Sequence, residues 1–456
     1  MTGRGVSTWL DASAPTGPPL RGERRADVVV VGGGFTGLWT ALELTSRAPH
    51  LEVVVLEAEV LGYGASGRNG GFVDPSLTHG LHNGLAHFPD EIDELIREGA
   101  TNYAEIVAFV RDHAIDAHLN SVGVIDVATE PWQVADLEEG AEVHQRVGER
   151  VELLDRERMR KQVDSPTYLA GLHRPEAGGT VDPGALVRGL GRVARDRGVA
   201  IHEQTRVTGI ARHGTGVRVV TAGGEVVADQ AVLATNAYSH KVLRRTGTWF
   251  VPVYDQVLVT APLTAEQLAR IGWEGRQGLG DAANQFHYYR LTPDDRILWG
   301  GYDAIYRYGN KVGPAYDHRR ATYDLLARNF RRTFPQLDDV PFERWWGGPI
   351  ATTTRFTVTF GEELGGRVSW ALGYTGLGVA TTRFAAKVLA DKLLDPSSPR
   401  LDLRLVRSKP VPFPPEPLRW AGVAMTRRAI ARADRNEGRR GPWLTTLDRF
   451  GIGFDS

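Results

Sequence analysis

The sequence predicts a mixed α/β protein of two domains that share an interface, one opening on a strand–turn–helix unit and the other built on an antiparallel sheet. Three observations predict it. Asp27 to Leu44 reads DVVVVGGGFTGLWTALEL: a β-branched apolar run, a glycine turn and an amphipathic helical spacing in direct succession. A second apolar run, Glu52 to Leu56, ends in an acid, Glu57, twenty residues past Gly37. Far along the chain, Trp249 to Pro262 (WFVPVYDQVLVTAP) and Phe286 to Tyr302 (FHYYRLTPDDRILWGGY) alternate like strands of a large antiparallel sheet.

The first element is strand, tight turn, helix. Gly32 takes the backbone angles of the turn, Gly34 has no Cβ to hold a pyrophosphate away, and Gly37 lets helix and strand approach closely. Phe35 and Thr36 open the helix, whose unpaired N–H groups and positive dipole end suit phosphate oxygens. Glu57, with Ala58 beside it, is placed to accept hydrogen bonds from a ribose diol, and its charge disfavours a 2′-phosphate. A bound dinucleotide is expected.

Ala65 to Gly71 reads ASGRNGG, too small and polar for core; it contains Ser66, Gly67, Arg68, Asn69, Gly70 and Gly71. With the first motif it resembles the second FAD-contacting loop of the D-amino-acid oxidase-like flavoprotein superfamily, which includes glycine oxidase, sarcosine oxidase and γ-glutamylputrescine oxidase. It is most similar to the γ-glutamylputrescine oxidase branch. The resemblance implies a Rossmann-like FAD-binding domain with an inserted antiparallel-sheet substrate domain. It divides the chain into a FAD-binding domain at 1–80, 151–245 and 346–400, a substrate domain at 81–150 and 246–345, and an extension at 401–456.

At 456 residues and 42% hydrophobic content, the chain can bury two cores. A formal charge of −1 gives no global basic field, which argues against nucleic acid as the main partner. No run reaches the roughly eighteen apolar residues of a membrane span, and the N-terminus lacks a secretory apolar core, so a cytoplasmic protein is expected. The absence of cysteine excludes disulfides, thiolate metal sites and a thioether link to a flavin. His79, His82, His87, His113 and His118 lack metal-ligand spacing, and no metal is expected.

Taken in order, Met1 to Glu23 is a Pro- and Gly-rich arm with Trp9 and Leu10 as anchors onto the body. Pro89 to His113 has a helical pattern, Val122 to Ala128 reads as a strand, and Pro131 to Val147 returns to helix. Asp182 and Pro183 mark a helix start, a cap followed by a first-turn proline. Short strands follow at Ile201 to Gln204, Val207 to Ala211, Val217 to Thr221 and Val226 to Ala228, then the buried strand QAVLATN over Gln230 to Asn236. Thr292 to Asp295 forms a hairpin turn, Tyr316 to Phe334 a helix, and Trp345 to Ala351 a return segment. Trp370 to Leu394 runs from a strand through GYTGLG into a helix near Val379. The extension carries a Pro-rich stretch, a basic helix around Thr426 to Glu437 with a solvated face, and a final aromatic segment.

The resemblance places Thr205 to Val207 beside the adenine and Thr235 and Asn236 near the pyrophosphate. It sets Gly373, Gly376, Leu377 and Gly378 at a second helix start facing the flavin pyrimidine. Candidate substrate residues come from the predicted sheet and the return segment: Tyr254, His287, Tyr289, Arg290, Trp346 and Arg355. Tyrosine and tryptophan suit an amine cage, arginine a carboxylate, and strand alternation lets only every second residue of His287 to Arg290 face a pocket. Relatives often carry an aspartate and a proline where this chain reads TTTRFTVTFG, with Arg355 near the acid's place. The oxygen-activating lysine of sarcosine oxidases is matched here by Trp299, and their flavin-attaching cysteine position falls near Gly348. Non-covalent FAD is expected.

The absence of GxSxG, GxxxxGK[ST] and HExxH fits chemistry carried by a cofactor. The expected activity is oxidation of a C–N bond in a small amine or amino acid to an imine by hydride transfer to flavin N5, with oxygen as acceptor. A dehydrogenase of the same fold using a quinone or protein acceptor, and a non-catalytic flavin-binding protein, are the alternatives.

Overall fold

The computed structural model describes residues 6–10 and 15–452. Parts of the arm, residues 1–5 and 11–14, and the last four residues of the final aromatic segment lie outside the described residues.

The first sheet has eight strands and is built on a parallel core of Gly22–Val31, Val53–Leu56, Ala200–His202, Gly224–Leu233 and Val368–Leu372. Its central strands are buried on both faces, with helices on one side only: Val28, Val30, Val53 and Val55 join the helix-packed core, whereas Val29, Val31, Val54 and Leu56 pack with Val207, Val217, Val219 and Phe250 from strands and loops. Gly224–Leu233 branches the sheet. Its first half pairs antiparallel with Gly216–Thr221 of a hairpin, its second half parallel with Val368–Leu372. Helices Phe35–Arg47, Pro183–Asp196 and Gly378–Leu394 pack on this sheet, the first lying between the other two. The expected cap holds, with Asp182 accepting the Ala185 N–H at 2.8 Å.

The second sheet has nine strands, among them Val251–Thr260, His287–Leu291, Ile297–Gly301 and Phe342–Thr352. Pairing is antiparallel as predicted, apart from one parallel contact between Val124–Ala128 and Gly278–Asp281. The hairpin turn closes through Thr292 N–H to Arg296 O at 2.8 Å. Helix Arg320–Thr333 covers one face with Tyr323, Leu326 and Phe330; the other face looks toward the first sheet.

Two placements differ from the expected boundaries. Helix Ile92–Asp112 belongs with the first sheet: Leu95 and Ile106 join that core, and buried Asn102 donates to Ala380 O at 2.9 Å. Strands Glu152–Leu154 and Ala170–Arg174 join the second sheet beside Val124–Ala128. Periodicity reports which face of an element is apolar and carries no information about which core receives it.

The arm docks where Trp9 and Leu10 were expected to anchor it. Ser7 Oγ donates to Gly67 O at 2.6 Å, Trp9 Nε1 to Asn69 O at 2.9 Å, and the Trp9 ring meets Trp346 edge-on. Further on, buried Glu203 accepts N–H groups from Thr16, Gly17 and Leu61 at 2.6 to 2.7 Å. Among the described residues no helix is long and apolar enough to cross a membrane.

Candidate active site

Local backbone chemistry builds the cradle. Gly32 has φ +113°, and a Cβ there would lie 2.7 Å from Ala234 O. At Gly37 a Cβ would run into the Gly32 carbonyl, so only glycine lets the helix cross the strand here. A Cβ on Gly34 would stand 2.8 Å from Ser66 Oγ, in the space between the helix start and the ASGRNGG loop. Ser66 Oγ accepts the Phe35 N–H at 2.9 Å and ties that loop to the helix.

Glu57 stands at the end of its strand, where its carboxylate accepts the N–H groups of Gly33 at 2.7 Å and Glu59 at 2.9 Å. Burial raises its pKa, and these two donors oppose the shift. Each oxygen keeps a lone pair for a diol.

The loops predicted to converge do so. Thr36 Oγ1 and Tyr374 Oη share a hydrogen bond of 2.7 Å across 338 residues, joining the two helix starts. Asn236 Oδ1 accepts the Gly373 N–H at 3.0 Å. A single cavity of about 1880 Å³ runs past Gly32, Gly34, Phe35, Thr36, Glu57 and Ala58. It continues along Ser66, Arg68, Asn69 and Gly70, reaching Val207, Thr235 and Asn236, then Gly376, Leu377 and Gly378. Its volume exceeds the roughly 300–1,000 Å³ of a pocket for one small ligand. A dinucleotide and a substrate together fit that space, and the donor set suits FAD: N–H groups for phosphates and a carboxylate for the ribose.

Several of the expected cofactor residues also make contacts within the protein. Gly67, Gly71, Gly37 and Gly373 lie off the cavity wall; Gly67 makes room for Leu10 and Gly373 for Thr353. Asn69 folds the loop, donating to Ala65 O and Ser66 O and accepting from Gly71 N. Arg68 lines the cavity, yet its guanidinium reaches Asp317 Oδ2 at 2.6 Å and Gly347 O at 3.0 Å, with Nε on Tyr63 O.

Of the six substrate candidates, Tyr254 and Trp346 line the cavity. Tyr254 Oη accepts the Gly313 N–H at 3.0 Å, and Trp346 Nε1 donates to Arg68 O at 2.8 Å. The other four are turned elsewhere. His287 is buried between Trp299 and Tyr302, with Nδ1 on Gly300 O and Nε2 on Asn329; burial pushes its pKa down to about 3, so it is neutral. Tyr289 sits in the core beneath helix Arg320–Thr333, bonded to Tyr168 and Asp281. Arg290 donates to Gly71 O and Val181 O, and Arg355 to Ser408, Leu405 O and Thr357. Burial lowers both guanidinium pKa values to about 10. Trp299 packs against Phe330 and Phe334, on the sheet face away from the cavity, and does not line it.

The residue of His287–Leu291 that does face the cavity is Tyr288, set 2.6 Å from where a Gly70 Cβ would be. Its Oη makes a short hydrogen bond to Asp255 Oδ2; Asp255 Oδ1 accepts from Gln256 N at 2.8 Å and Gly301 N at 3.2 Å. Burial raises the Asp255 pKa to about 6. An acid within the apolar run VPVYDQVLVT was the available signal for this pair.

Comparison with known proteins agrees with this geometry. The protein-family model DAO, FAD dependent oxidoreductase, matches residues 27–392. Gamma-glutamylputrescine oxidoreductase of Escherichia coli strain K12 is 33% identical over 396 residues, 85% of this chain and 89% of that protein. Among solved structures, glycine oxidase from Geobacillus kaustophilus superposes with a TM-score of 0.68 at 20% identity, covering 81% of this chain and 94% of the other. L-proline dehydrogenase from P. horikoshii gives 0.67 at 19% identity, covering 83% and 95%. Those two likenesses show the fold; with the family match over the cradle, the chain belongs to the DAO family of FAD-dependent oxidoreductases.

Proposed function

We propose that the protein oxidises the C–N bond of a small primary or secondary amine, or of an amino acid, to an imine that water hydrolyses, with oxygen as the electron acceptor. The observation that carries this reading is continuity: the cavity that runs past the cradle is also lined by Tyr254, Tyr288, Tyr302 and Trp346. The E. coli relative's name, a gamma-glutamylputrescine oxidoreductase, and the glycine oxidase fold point to the same substrate class. When bound, FAD supplies the two-electron acceptor.

The protein's own groups bind, orient and handle protons. An amine must lose its ammonium proton before its α-hydrogen can leave as hydride. Asp255, which lines the cavity with a pKa of about 6 and a bond to Tyr288, is the carboxylate we assign to take up that proton. Tyr254, Tyr302 and Trp346 line the same cavity and supply the apolar surface that would keep water from the nitrogen. Anaerobic titration of the purified flavoprotein with a panel of amines and amino acids tests the reading. Bleaching of the flavin by members of the panel is the expected result, and a flavin that none of them bleaches defeats it. Stopped-flow mixing of the reduced protein with air then tests the acceptor.

A further inference from the structure

The family match ends at residue 392, yet the chain beyond it lines the same cavity. Residues 412–452 cross its mouth as a strap with fixed points along its length. Phe413 N–H donates to Thr248 O at 2.8 Å, and Glu416 bonds Tyr306 Oη and the Gly309 N–H. Helix Leu418–Arg435 follows, and near its end Asp434 accepts the Asn284 N–H at 3.0 Å, the Asn284 side-chain amide at 2.7 Å and the Gln285 N–H at 2.8 Å. Gly438 then packs on the Trp132 ring, where a Cβ would lie 2.7 Å from the nearest ring atom. Helix Pro442–Arg449 returns against the first, with Trp443 Nε1 donating to Thr426 Oγ1 at 3.0 Å.

The strap faces the cavity with Leu418, Met425, Ile430, Leu444, Leu447 and Ile452. The arginines it also contributes have partners within the protein. Arg419 donates to Pro414 O, Arg427 reaches Asp303 and Ala304 O, and Arg440 pairs with Asp448. The surface it offers, which also includes Phe413 and Trp443, is therefore largely apolar, with its cations committed to other contacts, and an apolar wall rewards a ligand for each methylene it removes from water.

We propose that residues 412–452 form the outer wall of the substrate chamber and select amines that carry an apolar chain beyond the reacting nitrogen. This rests on amine oxidation being the reaction. The test uses the FAD-loaded protein and a homologous series of tert-alkyl amines, which lack an α C–H and so bind without reacting. Binding is read from the flavin absorption spectrum. In the wild type the dissociation constant falls about fourfold per added methylene. In Asp434→Ala, and separately in Ile430→Ala/Leu447→Ala, the gain drops below about twofold per methylene. Asp434→Ala also raises acrylamide quenching of the flavin fluorescence, whereas Asp434→Asn, which keeps an acceptor oxygen, restores most of the protection. A flat series in the wild type, an unchanged slope in both variants, or unchanged quenching in Asp434→Ala overturns the wall. If the series shows the slope while no amine with an α C–H bleaches the flavin, the wall stands and the reaction assignment falls.

Discussion

Removing the Asp317 charge should destabilise the protein by about 3 kcal/mol and loosen its hold on FAD. The Arg68–Asp317 pair is buried, with side-chain exposures of 4% and 8%, and its N···O distance is 2.6 Å. It links the ASGRNGG loop to the segment before helix Arg320–Thr333, and Arg68 also holds Gly347 O of the second sheet. Breaking a buried pair by deleting one partner costs about 3–5 kcal/mol, because the surviving charge stays buried. Asp317→Asn belongs at the lower end, since Arg68 keeps the Gly347 and Tyr63 carbonyls. Asp317 Oδ1 has no hydrogen-bond partner among the described residues, so the pair is imperfect and replaceable. Arg68→Met/Asp317→Leu should accordingly recover most of the loss, apolar replacement of such pairs being often neutral or better. Urea denaturation with and without FAD, run on both singles and the double, measures the cycle. A harmless Asp317→Asn, or a double variant as damaged as the sum of its singles, would refute the reasoning.

Glu57→Ala leaves the Gly33 and Glu59 N–H groups without their acceptor, at about 1–3 kcal/mol for each buried donor; FAD affinity by fluorescence titration should fall at least about tenfold. Tyr374→Phe deletes the bond to Thr36 between the two helix starts, and the same titration should show a loss of about threefold to tenfold, from the roughly 1 kcal/mol worth of such a bond. Asp255 and Asp281 both have folded pKa values raised by burial from 3.8 to about 6, so folding takes up a proton at each. Their stabilisation is complete below pH 4 and is lost as pH rises through 6, by up to about 3 kcal/mol apiece. Denaturation of the flavin-free protein across that window should show the decline, and Asp255→Asn should flatten its share.

Features held by neighbours in sequence were legible from sequence. The glycine turn at Gly32 to Gly37, the Asp182–Pro183 helix start and the Thr292–Asp295 hairpin all follow from local backbone rules, and each forms where expected. The convergence of the two helix starts needed the family resemblance, because the Thr36–Tyr374 contact joins positions 338 residues apart. Facing directions in the second sheet were not legible. Alternation limits which residues of His287–Leu291 share a face, but only packing against helix Arg320–Thr333 decides that His287 and Tyr289 turn inward and Tyr288 toward the cavity. Arg68 and Arg355 show the same limit for charge: each guanidinium is claimed by atoms far along the chain, at Asp317 and at Leu405 and Ser408. A residue type announces what it can bind, and the fold decides what it meets.

The docked arm bears on how shortened forms of this protein would behave. The family model's match begins at Asp27, but the indole of Trp9 props the ASGRNGG loop through the Asn69 carbonyl, and Arg188 clasps the Trp9 carbonyl in turn. A product trimmed to residues 27–392 would keep every glycine of the cradle and lose the floor beneath it, so the start of the family match is not a safe place to cut.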